Sequence, residues 1–172
     1  FFFKQKTAYE IPKRDWSSDV CSSDLLVRAP ISGVVYDVRR VDKWTKSNDD
    51  PGTRGGLTVT LHGDDFVRYY FAHLGRLMVK KGQRVESGQK IGTVGDSGNA
   101  KVTLCHLHFG MSRICPMSEQ NLLRGEVWPQ RYLDAWAAGV NLSPNREVQR
   151  KTRREPAACL EAAAAQRRGG DS

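Results

Sequence analysis

Hydrophobic and polar residues alternate in several short runs along this chain, and a period of two is typical of β-strands that pack one face on a core. The clearest run spans residues 104–111. One face carries Cys105, Leu107, Phe109 and Met111, and the other carries Leu104, His106, His108 and Gly110. Residues i and i+2 lie roughly 6.6 Å apart along a strand, so His106 and His108 can both reach one small target.

Further runs predict a β-hairpin and additional short strands. Apolar residues alternate with polar ones over 57–62, a turn follows at 63–65, and an aromatic strand over 66–72 leads to His73. Two Gly-Gln turns between residues 78 and 94 join more short strands, because glycine supplies the positive φ that tight turns need. The sequence therefore predicts a mainly β fold with an antiparallel, barrel-like or sandwich sheet.

The C-terminal third carries helical signals. Pro129 near the first turn and Gly139 as a stop predict a short helix, whose aromatic face we expect to dock on the sheet. Beyond it the composition changes to Arg, Lys, Glu, Ala and Gln. Residues 141–172 are therefore predicted to form a basic, largely disordered tail, in which a helix over 156–168 would be marginal by itself.

Residues 1–25 match the translation of a common sequencing adapter. Translation of a run of thymine nucleotides followed by the start of the adapter gives Phe1 to Ile11. Translation of the constant half of the adapter gives Asp15 to Leu25. Like a tag, this artefactual segment is excluded from reasoning about the fold. We expect the natural chain to begin at about Leu26, with any targeting segment encoded upstream. No later run is apolar over the ~20 residues that a membrane-spanning helix needs.

The net charge narrows the choice of partners. The chain carries 27 basic and 19 acidic residues, a net charge of +8. Residues 1–25 hold four of each sign, so the excess lies in the remaining chain. Such an excess favours polyanionic partners, either nucleic acid or an anionic bacterial wall or membrane surface. The sequence has no helix-turn-helix, zinc-finger or RNA-binding aromatic motif, so we expect no nucleic-acid partner.

The cysteines give no closed disulfide framework. With Cys21 excluded, the odd set Cys105, Cys115 and Cys159 remains, and an odd number leaves one cysteine over. Cys105 and Cys115 would be about 30 Å apart on a straight strand, whereas a disulfide needs Cα atoms within about 7 Å. A bridge between them requires the chain to turn back after Ser112, and we expect Cys105 to serve as a packing residue.

Three motifs follow one another in a characteristic order. Tyr70-Phe71-Ala72-His73-Leu74 comes first, a glycine-rich segment over 79–98 second, and His106-Leu107-His108-Phe109-Gly110 third. Together they resemble the lysostaphin-type M23 metallopeptidases, which are zinc endopeptidases that cut peptide cross-links in bacterial peptidoglycan. The resemblance covers about Ala29 to Ser112. It implies a truncated M23 β-domain over residues 26–140 that resembles a barrel-sandwich hybrid, a peptidoglycan peptide substrate, and a secreted or cell-envelope location.

The resemblance also implies a zinc site. His108 matches the histidine of the family's His-x-His strand that binds Zn²⁺, whereas His73 and His106 match two non-ligand histidines that assist catalysis. His62 matches a hairpin histidine with no assigned role. The family's other two ligands come from a His-x-x-x-Asp motif just upstream of the segment that begins here at Ala29, and this chain contains no such motif. We therefore expect a zinc-dependent endopeptidase as the parent protein, and an inactive truncated chain that binds zinc poorly.

Two other readings remain open at this point. Some members of the family have lost metal ligands and act as wall-binding or hydrolase-activating modules, although retention of all three histidines favours the enzyme. The Gly-Gln turns also suggest a lipoyl or biotinyl carrier, which presents a modified lysine at a hairpin tip. Here Met78 is followed by Val79 rather than lysine, and a carrier leaves the histidine strand unexplained.

Overall fold

Two antiparallel sheets form the body of the protein in a computed structural model, which describes residues 25–116 and 125–169. The smaller sheet has the order β1 (Leu26–Arg28), β7 (Lys90–Val94), β5 (Leu74–Leu77). The larger sheet has the order β6 (Arg84–Val85), β2 (Gly33–Arg39), β3 (Thr58–Gly63), β4 (Val67–Ala72), β8 (His108–Arg113). This arrangement confirms the predicted mainly β, antiparallel fold. Residues 1–24, nearly all of the segment that we attribute to an adapter, lie outside the described residues.

One hydrophobic core lies between the two sheets. Val27 and Ile91 come from the smaller sheet, and Leu61, Tyr69 and Met111 come from the larger one. Their exposed fractions are 3% or less, so the side chains on one face of each strand are removed from water. This burial is the physical reason for the period of two, because alternate residues of a strand point to opposite faces of the sheet.

The histidine strand is shorter than the sequence predicts. The strand β8 begins only at His108, and His106 forms an isolated bridge with Gly95. The residues before His106 follow directly from a 3-10 helix over Gly98–Val102. They therefore do not take part in the pairing of β4 with β8. The alternation of faces nevertheless holds, because Leu107 and Phe109 pack against the core while His106 and His108 are exposed.

The short helix predicted after Pro129 is confirmed. The helix α1 spans Gln130–Ala137, and Gly139 ends it with a φ of +76°. Tyr132 is only 2% exposed. The ring of Trp136 lies 6.3 Å from that of Tyr69 and 6.2 Å from that of Phe109, so the aromatic face of α1 docks on the sheet.

The segment that the sequence predicts to be a disordered tail contains two helices in the structure. These are α2 (Asn145–Arg154) and α3 (Ala158–Gly169). A disulfide joins Cys115, just after β8, to Cys159 in α3, with 5.7 Å between the Cα atoms. Cys115 therefore pairs with Cys159 and not with Cys105. Cys105 is itself disulfide-bonded, so the expectation that it is left over as a packing residue is wrong. None of the helices in the described ranges is long and apolar enough to cross a bilayer.

Polar contacts hold the same helices at the end of β8. Arg113 is 6% exposed and forms an ion pair with Glu126 at 2.6 Å, and its Nη1 donates to the carbonyl of Glu155 at 2.6 Å. Val148 adds a small apolar contact at 4% exposure. These partners lie up to 42 residues apart in the chain, and local composition gives no sign of such contacts.

The Cys115–Cys159 disulfide should contribute measurably to the free energy of unfolding. Because the bond closes a loop of 44 residues, replacing both cysteines by alanine should lower the free energy of unfolding by about 2–4 kcal/mol, measured by urea denaturation. Each single alanine variant should lose about as much as the double variant, since either change removes the same bond. Additive losses in the double variant would contradict this account.

Candidate active site

Three histidines from two segments of the chain lie together at one end of the larger sheet. His73 follows β4, His106 precedes β8, and His108 is the first residue of β8. The ring centroid of His73 is 4.8 Å from that of His106 and 6.1 Å from that of His108. The register of the sheet explains this, because Ala72 pairs with His108 across β4 and β8. The structure thus brings together the three residues that the sequence singles out.

The backbone of His73 is unusual for a non-glycine residue. Its φ is +60°, in the left-handed region that costs of the order of 1–3 kcal/mol and is enriched at functional sites. The residue is 6% exposed, and its backbone N–H donates to the carbonyl of Gly55 at 2.9 Å. The surrounding loop therefore fixes a conformation that the chain alone would disfavour.

Hydrogen bonds to backbone carbonyls set the tautomers of two rings. His73 Nδ1 lies 2.8 Å from the carbonyl oxygen of Ser97, and His106 Nδ1 lies 2.8 Å from that of Leu104. A carbonyl oxygen only accepts, so each Nδ1 carries the hydrogen and donates it. In the neutral rings Nε2 then holds the lone pair, which is the nitrogen that can accept a proton. The ring of His108 meets that of Tyr70 edge-on, with 5.9 Å between centroids.

Ser97 holds the strand ends around His73 in place. It is 7% exposed, and its hydroxyl donates to the carbonyl of Leu74 at 2.8 Å and accepts from the N–H of Leu57 at 2.9 Å. Its own carbonyl accepts the hydrogen of the His73 ring. One residue thus connects the segment just before β3, the strand β5 and a catalytic candidate. In the sequence, Ser97 is marked only by its place in the glycine-rich segment over 79–98.

A second set of polar contacts joins the loop after β2 to the segment before β8. Asp42 accepts from the N–H of Gly98 at 2.9 Å and pairs with Lys101 at 2.6 Å. Burial raises the pKa of the Asp42 carboxyl, but hydrogen bonds from Lys101, Gly98 and Trp44 outweigh it and leave the pKa below its ordinary value. A Cβ on Gly98 would lie 2.1 Å from the carbonyl oxygen of Arg54, so only glycine allows this approach.

His62 lies away from the three clustered histidines. It pairs with Arg68 at the other end of the β3–β4 hairpin, and its ring stacks on that of Tyr36 with 4.3 Å between centroids. Burial, and to a smaller extent the charge of Arg68, lower the pKa of His62 to about 4. Its place in the structure is consistent with a structural residue of the hairpin.

The described residues do not complete a metal site. Over residues 25–116 and 125–169, no group of three or more His, Cys, Asp or Glu side chains is arranged to hold a metal ion. A catalytic zinc ion usually takes three protein ligands. Of the set that the family resemblance implies, the described part of the chain supplies His108, so by itself it does not fit the group.

The family follows from comparison with known proteins. The model of peptidase family M23 matches residues 20–121, and the chain therefore belongs to peptidase family M23. The peptidoglycan DD-endopeptidase ShyA of Vibrio cholerae is 44% identical over 55 residues, which cover 32% of this chain and 12% of that protein. The L-Ala–D-Glu endopeptidase of Bacillus subtilis is 33% identical over 89 residues, which cover 48% of this chain and 25% of that protein.

Other similar proteins include an activator and a solved peptidase domain. The murein hydrolase activator NlpD of Escherichia coli is 38% identical over 55 residues, covering 32% of this chain and 14% of that protein. The catalytic domain of the antimicrobial peptidase lysostaphin from Staphylococcus simulans superposes with a TM-score of 0.48 at 26% identity, covering 64% of this chain and 71% of that domain. The chain spans a quarter or less of the length of these curated relatives.

The lowered pKa of His62 predicts a pH-dependent stability. Between pH about 6.5 and about 4 the unfolded chain binds a proton at this ring and the folded chain does not, so stability falls as the pH falls through this window. His62→Phe keeps the stack on Tyr36 and removes the titration. Urea denaturation measures the free energy of unfolding at each pH. Between pH 7 and pH 4.5 this free energy should fall by about 2 kcal/mol less in the variant than in the unaltered chain, after allowance for partial exposure of the ring. Equal losses would contradict the assignment.

The buried hydroxyl of Ser97 should stabilise both the fold and the tautomer of His73. Ser97→Ala leaves the N–H of Leu57 without its acceptor and should cost about 1–3 kcal/mol in the free energy of unfolding. Loosening of the loop should also lower the population of the Nδ1–H tautomer of His73, measured from the 15N shifts of the ring. Ser87→Ala, at an exposed turn, is the matched control. If both variants behave alike, Ser97 does not position the ring.

Proposed function

We propose that the parent protein of this chain is a zinc-dependent endopeptidase that hydrolyses peptide bonds of bacterial peptidoglycan. The observation that carries this proposal is the convergence of His73, His106 and His108 at one end of the sheet in a chain of family M23. The names of the similar endopeptidases of Vibrio cholerae and Bacillus subtilis support peptidoglycan as the substrate class.

His108 is the zinc ligand in this proposal, and the other two are the His and Asp of a His-x-x-x-Asp motif that the 172-residue chain does not contain. With all three ligands in place, a bound zinc ion would supply a water of pKa near 7 and would polarise the scissile carbonyl. Because one ligand of three is a weak site, we expect the chain of this sequence to bind zinc poorly and to be inactive.

His73 and His106 divide the proton transfers. In the neutral state each ring presents Nε2 as an acceptor, because Nδ1 donates to a carbonyl. Such a nitrogen removes a proton from the attacking water as a general base. Once protonated, an imidazolium donates from Nε2, which stabilises the oxyanion and returns a proton to the leaving amine. The fixed backbone of His73 keeps its ring oriented for either role.

The substrate also suggests where the protein works. Peptidoglycan lies outside the cytoplasmic membrane, so we propose a secreted or cell-envelope location. The Cys115–Cys159 disulfide supports it, since such bonds persist mainly in oxidising compartments. No nucleic-acid partner is part of the proposal.

The test of the enzyme proposal adds the two zinc ligands that this sequence does not contain. A chain in which a His-x-x-x-Asp segment precedes Ala29 should release peptide fragments from purified peptidoglycan in a zinc-dependent manner. His108→Ala should abolish zinc binding and cleavage, whereas His73→Ala and His106→Ala should lower the cleavage rate by roughly 10²–10⁴-fold with zinc still bound. His62→Ala is the matched control and should retain activity. A folded, zinc-loaded chain that cleaves nothing would contradict the enzyme reading.

A catalytically degenerate wall-binding or hydrolase-activating module is the second candidate function. The similarity to the activator NlpD and the absence of a His-x-x-x-Asp motif favour it. In that case the chain should raise the rate of a separate peptidoglycan hydrolase without cleaving peptidoglycan, and His108→Ala should leave this stimulation unchanged.

A further inference from the structure

The outer side of α2 carries a row of four arginines, Arg146, Arg150, Arg153 and Arg154, here called the arginine stripe. All four side chains are exposed. At 3.6 residues per turn they fall within an arc of roughly 100°. Val148, the buried residue of α2, lies on the opposite side of the helix. The stripe therefore faces away from the domain.

The orientation of the stripe is fixed by contacts at both ends of α2. Near the start, Asn145 donates to the backbone carbonyl of Asp65, and Tyr132 donates to the Glu147 carboxylate at 2.8 Å. After the last turn, the carbonyl of Glu155 accepts from Arg113 at 2.6 Å. The helix buries one apolar side chain only, so filling the core does not explain these attachments.

The charges of the stripe are not neutralised within the described part of the chain. The ion pairs there join other cations to Asp37, Asp42, Asp49, Asp64, Glu86 and Glu126. Arg150 lies four residues from both Arg146 and Arg154, and like charges at this spacing repel each other on a helix. The helix dipole favours cations in the last turn but disfavours one at Arg146, which lies in the first turn. An external anion would relieve the repulsion along the whole stripe.

We propose that the arginine stripe binds the carboxylates of peptidoglycan stem peptides and holds the domain on its polymeric substrate. This inference rests on the proposed function for the identity of the polymer. The planar guanidinium group binds carboxylates in a bidentate manner. The stripe extends about 12 Å along the helix axis, so neighbouring arginines can engage more than one carboxylate. Several weak contacts to a repetitive polymer add up to firm retention.

The stripe is separate from the candidate active site. The strand β8 starts at His108 and ends at Arg113, beside the helices, and five residues of strand span about 17 Å. The stripe therefore binds the polymer at a distance from the bond that is cut. Its loss should weaken retention on the wall without touching the histidines.

The experiment measures binding of the full chain to isolated peptidoglycan sacculi that have been stripped of attached phosphate polymers. Sedimentation should show a dissociation constant at least tenfold weaker for the variant R146Q/R150Q/R153Q/R154Q. The matched control K46Q/R76Q/K80Q/K90Q removes the same number of exposed positive charges elsewhere and should stay within twofold of the unaltered chain. The smaller variant R150Q/R153Q should show an intermediate loss if the larger one folds poorly.

Three results would overturn the inference: undiminished binding of the stripe variant, an equal loss in the control, or stripe-dependent binding to phosphatidylglycerol vesicles or duplex DNA as tight as that to sacculi. Binding needs no zinc, so the two proposals fail separately. Stripe-dependent retention in a zinc-loaded chain that does not cleave supports the binding surface and refutes the peptidase. Cleavage of peptidoglycan by a chain whose retention does not depend on the stripe supports the peptidase and refutes the binding surface.

Discussion

The pairing of β4 with β8 is the constraint on which the candidate site depends. Ala72 lies opposite His108, so the residue that follows β4 comes beside the start of β8. A slip by one residue would turn His108 towards the core and Phe109 towards solvent. The buried face of β8, with Met111 fully buried and Phe109 packed on the core, excludes that slip. The apolar side of the strand thus fixes the position of the imidazoles on its other side.

Buried hydrogen bonds then convert proximity into a defined geometry. His73 has a left-handed backbone that only a surrounding structure can maintain, and Ser97 provides much of that structure through its hydroxyl and its carbonyl. Asp42 ties the adjoining loop to the N–H of Gly98. Polar groups inside a protein stabilise a unique arrangement when every partner is present. The same interactions that hold the loops also set which nitrogen of His73 is protonated.

The C-terminal helices are attached by a different kind of interaction. A disulfide, the buried Arg113–Glu126 pair and a few polar bonds connect them to the end of β8, with little apolar surface. This attachment makes the helices part of the domain surface and gives the arginines of α2 a fixed direction. An enzyme that works on an insoluble polymer needs both a site for the bond it cuts and a means of staying on the polymer. Under the two proposals made above, the histidines at one end of β8 would serve the first task and the arginines of α2, near the other end, would serve the second.

The sequence by itself determined the β-rich fold, the alternation that exposes His106 and His108, the position of His73 at a strand end, and membership of the M23 family. These features depend on local periodicity and contiguous motifs, so they can be read along the chain. Only the tertiary structure decided the roles of Ser97 and Asp42, the pairing of Cys115 with Cys159, and the folding of a segment whose composition predicts disorder. Their partners lie between 23 and 56 residues away, and such contacts form only when the sheet brings distant segments together.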